Sequence, residues 1–307
     1  MPLWKTMCES FRGLPRRKAA RIAGAGLLAL ALAGCGVVRL AYNQAPNWTA
    51  MWIDSYATLD EEQGPRARDA VGAWFRWHRS TQLPQYAGML ARLQAQVLDD
   101  TTGAALCRWE PELRQRAAAA LAQTVVPATE LALTLKPAQL RHIEQRFERS
   151  NKKFRGDYLQ PDLDDRRKER LERTVERLEK LYGRLDDAQR ERLSRALAAS
   201  PYDAEVWQQE RLARQRDTLQ TLRTLTGNGR ALPAPVAQAE VEALMGSWLR
   251  SSRPAYAAYQ REVTQSNCAW LAELHNSTTP EQRRHARDKL RGWEMDARAL
   301  GAATGGA

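Results

Sequence analysis

Leu171, Val175, Leu178, Tyr182 and Leu185 recur at alternating intervals of four and three residues, which lines one stripe of a helix, while Arg and Glu occupy the other faces. Glu169 with Arg173 and Glu176 with Lys180 stand one helical turn apart and add roughly a few tenths of a kcal/mol each. Helical periodicity of this kind continues along the chain. Alternation of Val, Ile or Thr, the mark of a half-buried strand, is not sustained. The breaks fall at Gly64-Pro65, Pro84, Pro127, Pro137, Pro161, Pro201, Gly227-Asn228-Gly229, Pro233, Pro235, Pro254 and Pro280. Most of them suit a helix start, where proline has no hydrogen bond to lose. The pattern predicts an all-α multi-helix bundle of roughly nine to eleven helices, near 46–57, 60–80, 84–99, 103–126, 137–158, 162–184, 187–199, 202–226, 234–251, 254–276 and 280–299. The helical domain spans 46–300, with a possible hinge at 227–235 and a disordered tail at 301–307.

Four of the predicted helix starts share a local signal: Leu59-Asp60-Glu61-Glu62-Gln63, Leu135-Lys136-Pro137-Ala138-Gln139, Leu185-Asp186-Asp187-Ala188-Gln189 and Thr278-Thr279-Pro280-Glu281-Gln282. In three of them a short polar side chain accepts from an orphan backbone N–H and the Gln reaches back, which is a capping box. Lys136 cannot cap in that way, so the second copy is weaker. The spacings share no fixed period, which disfavours a solenoid.

Composition refines this picture. The 307 residues are 43% apolar and carry a formal charge of +11, so the chain can bury a sizeable core and is not disordered as a whole. The 13-residue apolar run from Ile22 to Gly34 is shorter than the roughly 20 residues that span a bilayer. Arg12, Arg16, Arg17, Lys18 and Arg21 precede that run, and Leu32-Ala33-Gly34-Cys35 closes it, which is a signal-peptide layout. The last four residues resemble the bacterial lipobox. The resemblance implies a lipoprotein signal peptide at 1–34, a diacylglycerol on Cys35 and a lipidated N-terminus and short tether at 35–45. Gly36 in place of Asp favours the outer membrane by the same resemblance, and several acyl chains on one residue make a stable anchor. Without Lys5, Arg12, Arg16, Arg17, Lys18, Arg21 and Glu9 the charge falls by five units to about +6. The remaining basic residues alternate with acids and read as solvated helix faces, with weak attraction to anionic lipid as the alternative. No nucleic-acid partner is expected.

Cys8 would leave with the signal peptide and Cys35 would carry lipid, leaving Cys107 and Cys268. In an oxidising periplasm that pair suggests one disulfide, with two separate buried thiols as the alternative. Trp48 and Trp52 stand four residues apart, and Trp74 and Trp77 three apart. Near an anchor they could form an interfacial belt, or they could fill the core of a first helical hairpin.

Gly34-Cys35-Gly36, Arg39-Leu40-Ala41-Tyr42-Asn43, Trp52 and Asp54, with the later Asn276-Ser277-Thr278-Thr279-Pro280-Glu281-Gln282-Arg283, resemble a family of uncharacterised bacterial lipoproteins. That resemblance implies a helical, lipid-anchored envelope protein over nearly all of the mature chain, and brings no activity. The helix starts at Gln63, Gln139, Gln189 and Gln282 also resemble, less closely, the Leu-Thr-x-x-Gln motifs of Spy-type periplasmic chaperones, which implies a cradle for unfolded clients.

The four histidines, His78, His142, His275 and His285, form no H-E-x-x-H pair, and there is no Gly-x-Ser-x-Gly, phosphate-cradling Gly loop or zinc-spaced Cys/His cluster. The expectation is therefore no catalytic residue, no metal and no cofactor. The protein is expected to be an outer-membrane lipoprotein facing the periplasm, bound to membrane lipid through its N-terminus and presenting helices to envelope proteins. A holdase for unfolded clients is the alternative.

Overall fold

The computed structural model describes residues 16–227 and 232–303, with side chains from residue 36 onward. Residues 1–15 of the expected signal peptide, the Cys35 side chain, residues 228–231 of the expected hinge and residues 304–307 of the expected tail lie outside that description. The described residues are helical, with no strand among them. The helices are α1 (Arg16–Ala57), α2 (Gln63–Trp77), α3 (Leu83–Gln96), α4 (Gly103–Cys107), α5 (Trp109–Ala122), α6 (Val125–Leu133), α7 (Pro137–Tyr158), α8 (Leu163–Tyr182), α9 (Asp187–Ala199), α10 (Ala204–Thr226), α11 (Ala234–Leu249), α12 (Pro254–Asn276) and α13 (Pro280–Ala302). A π-helical turn, His78–Gln82, joins α2 to α3.

The all-α bundle matches the hydrophobic pattern, and the differences have local causes. The expected 103–126 helix divides at Arg108, and α6 is an additional helix. Pro127, read as a break, is the third residue of α6, inside the first turn whose N–H groups have no intrahelical partner. Helix α1 does not begin near 46, and the segment expected as a tether is helical in backbone. Pro46 lies inside α1, where it removes one backbone bond. The last helix continues to Ala302, past the expected start of the tail, because Gly301 lies against the Arg79 carbonyl and the Pro84 ring, 3.5 and 3.7 Å from where a Cβ would stand.

The chain divides into two units, Met1–Ala45 and Pro46–Ala307. In the first, Val37, Val38 and Leu40 are exposed. No described helix is long and apolar enough to cross a membrane. The second unit holds three apolar clusters. One gathers Val175, Leu178, Tyr182 and Leu185 of the predicted stripe with Leu193, Leu197, Leu274, Ala286 and Leu290, and Leu171 packs at its margin. Another joins Ala57, Leu135, Leu140, Ile143 and Leu219, and a third joins Ala132, Leu225, Ala237, Val241 and Met245. Helix α10 feeds the last two through Leu219 and Leu225. The predicted turn-spaced pairs form as well, Glu169 with Arg173 at 3.2 Å and Glu176 with Lys180 at 2.8 Å.

Candidate functional site

The four Gln-bearing helix starts are brought together in two pairs. Gln63 and Gln139, 76 residues apart, are both buried and exchange amide bonds: Gln139 Nε2 donates to Gln63 Oε1 at 2.7 Å, and Gln63 Nε2 donates to Gln139 Oε1 at 3.4 Å. Gln189 and Gln282, 93 residues apart, repeat the exchange at 2.8 and 3.0 Å. Each amide also binds its own helix start and the facing junction. The Oε1 atoms accept from the backbone N–H of Asp60, Lys136, Asp186 and Thr279. The Nε2 atoms donate to the carbonyls of Thr134, Ala57, Ser277 and Arg184. One side chain thus caps a helix and fastens it to the end of another. The residue before each cap seats the clamp on a core: Leu135 and Leu185 are buried in their clusters, Thr278 is buried, and Leu59 packs on the cluster of Leu135.

The weak second copy is compensated. Lys136 has no acceptor, so Gln139 N turns to the Lys136 carbonyl at 2.9 Å, and Lys136 Nζ crosses the junction to Asp60 Oδ2 at 2.9 Å. The ammonium lowers the pKa of Asp60, helped by the Gln63 and Glu62 amides on its other oxygen, and Asp60 raises that of Lys136.

Beside the second clamp lies a polar knot that the sequence did not reveal. His275 is buried between the Tyr182 hydroxyl, 2.9 Å from Nδ1, and the Asp99 carbonyl, 2.8 Å from Nε2. The carbonyl can only accept, so Nε2 carries the proton and Nδ1 accepts from Tyr182. Burial lowers the His275 pKa and pushes Tyr182 up to about 12. Arg283 Nη1 donates to Leu98 O at 3.1 Å and its other nitrogens reach Thr278 and Asp100, while Asn276 exchanges two backbone bonds with Thr101. The partners of His275 lie 93 and 176 residues away, beyond any local signal.

Cys107 and Cys268 stand at disulfide distance, with sulfurs 2.10 Å and Cα atoms 5.6 Å apart. Gly103, at the other end of α4, lies so close to α12 that a Cβ there would stand 3.0 Å from Ala269 Cα. Arg39, Leu40 and Asn43 are exposed on α1 and Tyr42 is half-buried; Trp52 is exposed, and Asp54 accepts from Leu59 N at 2.9 Å. The tryptophans separate. Trp74 donates to Ala120 O at 2.9 Å and stacks on His78 at 4.7 Å, so it belongs to the packed interior, whereas Trp48 and Trp52 are exposed.

Two concavities lie near α4. An open cleft of about 510 Å³ is lined by Arg92, Asp99, Asp100, Arg108, Trp109 and Glu112, and a smaller one of about 260 Å³ by Cys107, Glu110, Arg114, Arg250 and Arg261. Arg92 pairs with Glu112 at 2.7 Å and lies over the Trp109 ring. No group of three or more His, Cys, Asp or Glu among the described residues could hold a metal ion.

Residues 55–233 match the family of unknown function DUF6279. The chain belongs to that family. The match holds the whole Gln63–Gln139 clamp and only the Gln189 half of the second, and it covers less than the nearly complete mature chain expected. The Arg39–Asp54 opening and the 276–283 segment fall outside it. No curated protein and no solved structure matches the chain.

Proposed function

We propose that this family member is an outer-membrane-anchored periplasmic lipoprotein whose helical domain acts as a non-enzymatic interaction or structural element. The anchor reading rests on Leu32-Ala33-Gly34-Cys35 behind a basic stretch, with Gly36 following. The observation that carries the non-enzymatic reading is the use made of the buried polar side chains. The four Gln amides clamp helix starts, and both ring nitrogens of His275 are bound within the fold. A general acid or base needs a proton-exchanging atom that faces a substrate. This use of the buried amides and imidazole supports a role for the outer surface.

Mass spectrometry of the mature N-terminus tests the anchor, with a triacylated Cys35 expected; a bare amino terminus refutes it. Crosslinking in intact cells tests the rest, with envelope proteins or envelope lipid expected and recovery of cytosolic proteins alone refuting it. The holdase alternative needs a continuous apolar concavity. Among the described residues, apart from Leu98 and those of α1, the large exposed apolar side chains are spread over α5, α6, α8, α10, α11 and α13, which favours the interaction reading. Purified protein is therefore expected not to slow client aggregation at near-stoichiometric ratios.

A further inference from the structure

Trp48, Met51 and Trp52 are 54%, 60% and 60% exposed, and their spacing of three and four residues places them on one face of α1. Burying large apolar side chains is favourable, so three left in water on consecutive turns form a surface suited to an apolar partner. Half-buried Ile53 and buried Ala57 lie on the opposite side of the helix, and Asp54 turns back to bind Leu59 N. Asp54, exposed and three residues from Met51, borders this face as the one acid among the described side chains of α1.

One cation, the half-buried Arg146, flanks this face. Arg146 on α7 lies over the Tyr56 ring at 4.9 Å and reaches Ser55 Oγ at 3.4 Å, and His142 contacts the Ser55 carbonyl at 3.2 Å. No carboxylate pairs with Arg146 in these contacts. Tyr56 in turn stands 4.9 Å from the Trp52 ring, and indole rings with a cation one ring away suit the headgroup layer of an anionic bilayer, where the ring is half apolar and half wet. Trp48 follows Cys35 by thirteen residues, a reach of about 20 Å as helix and about 45 Å fully extended.

We infer that the Trp48–Met51–Trp52 face docks on the anionic lipid surface to which the chain is tethered, so that the domain meets the membrane through a second contact. This rests on the lipoprotein reading for its tether, and on exposure and chemistry for its surface.

The test places a photo-crosslinking benzoylphenylalanine at position 48 or 52 of the full chain in a Gram-negative host, with Leu113, an exposed apolar residue of α5, as the control position. All three side chains are exposed, so the substitutions leave the core intact, which far-UV circular dichroism checks. The expected result is a mass shift equal to a phospholipid adduct at 48 and 52 and none at 113. Protein adducts at 48 and 52, no adduct, or equal lipid labelling at 113 overturns the inference. Mass analysis of Cys35 in the same samples keeps the two readings apart. An acylated Cys35 without lipid adducts refutes the docking face alone, while lipid adducts with a bare Cys35 uphold the face and refute the tether.

Discussion

Replacing Gln139 with Ala removes an amide that accepts from Lys136 N at 2.8 Å and donates to Ala57 O at 2.9 Å, Thr58 O at 3.1 Å and Gln63 Oε1 at 2.7 Å. A neutral hydrogen bond contributes about 1 kcal/mol net, and a buried polar group left without a partner costs about 1–3 kcal/mol. The substitution is therefore expected to cost about 3–4 kcal/mol. Gln63→Ala loses the Asp60, Thr134 and Gln139 bonds and should cost about 2–3 kcal/mol. Because the two side chains bond to each other, the double variant should cost less than the sum, by about 1 kcal/mol. Gln189→Ala with Gln282→Ala should repeat that coupling. Gln139→Ala with Gln282→Ala, in different clamps, should add to within about 0.5 kcal/mol. Urea unfolding followed by circular dichroism reads the energies, and amide exchange at each helix start resolves them if unfolding is not two-state. Strict additivity within both pairs, with each single variant costing over about 1 kcal/mol, would refute the reciprocal clamp.

Other outcomes follow from the same contacts. Because burial lowers the His275 pKa, the unfolded chain binds its proton first as pH falls through about 6.5, so stability declines below that pH. Thermal melts between pH 7.5 and 5 should show the decline, and His275→Gln should reduce it, leaving the part due to His78, whose pKa burial also lowers. Replacing both Cys107 and Cys268 with Ser opens a loop of 161 residues and should cost up to about 5 kcal/mol, read as a lower urea midpoint than that of the oxidised parent. Gly103→Ala drives a Cβ against the α12 backbone and should cost about 1–3 kcal/mol, seen as a lowered Tm; an unchanged Tm would show that α4 can shift freely.

The sequence revealed most where the cause is local. Asp186 and Thr279 cap helices α9 and α13 through their own side chains, and the stripe from Val175 to Leu185 is buried as its spacing requires. The Gln residues were legible as caps but not as partners, because their second bonds cross 71 to 98 residues of chain. Lys136 shows the limit well: it spoils a capping box, and only the facing Asp60 gives it another role. Helix α6 was hidden because a proline in a first turn and a proline between helices look alike in sequence. The helical course of α1 through Pro46 could not be read, since a prior against interior proline is only an average.

The pairing of Cys107 with Cys268 also sets an order of events. Where a disulfide-forming compartment receives a chain N-terminus first, the earlier thiol is exposed there before its mate arrives. Through that interval the five-residue α4 has neither bond nor docking surface, and so short a helix has little stability alone. The early segment must wait open, and a competing thiol-reactive partner has its best chance then. Closure comes only when the late α12 arrives to receive it.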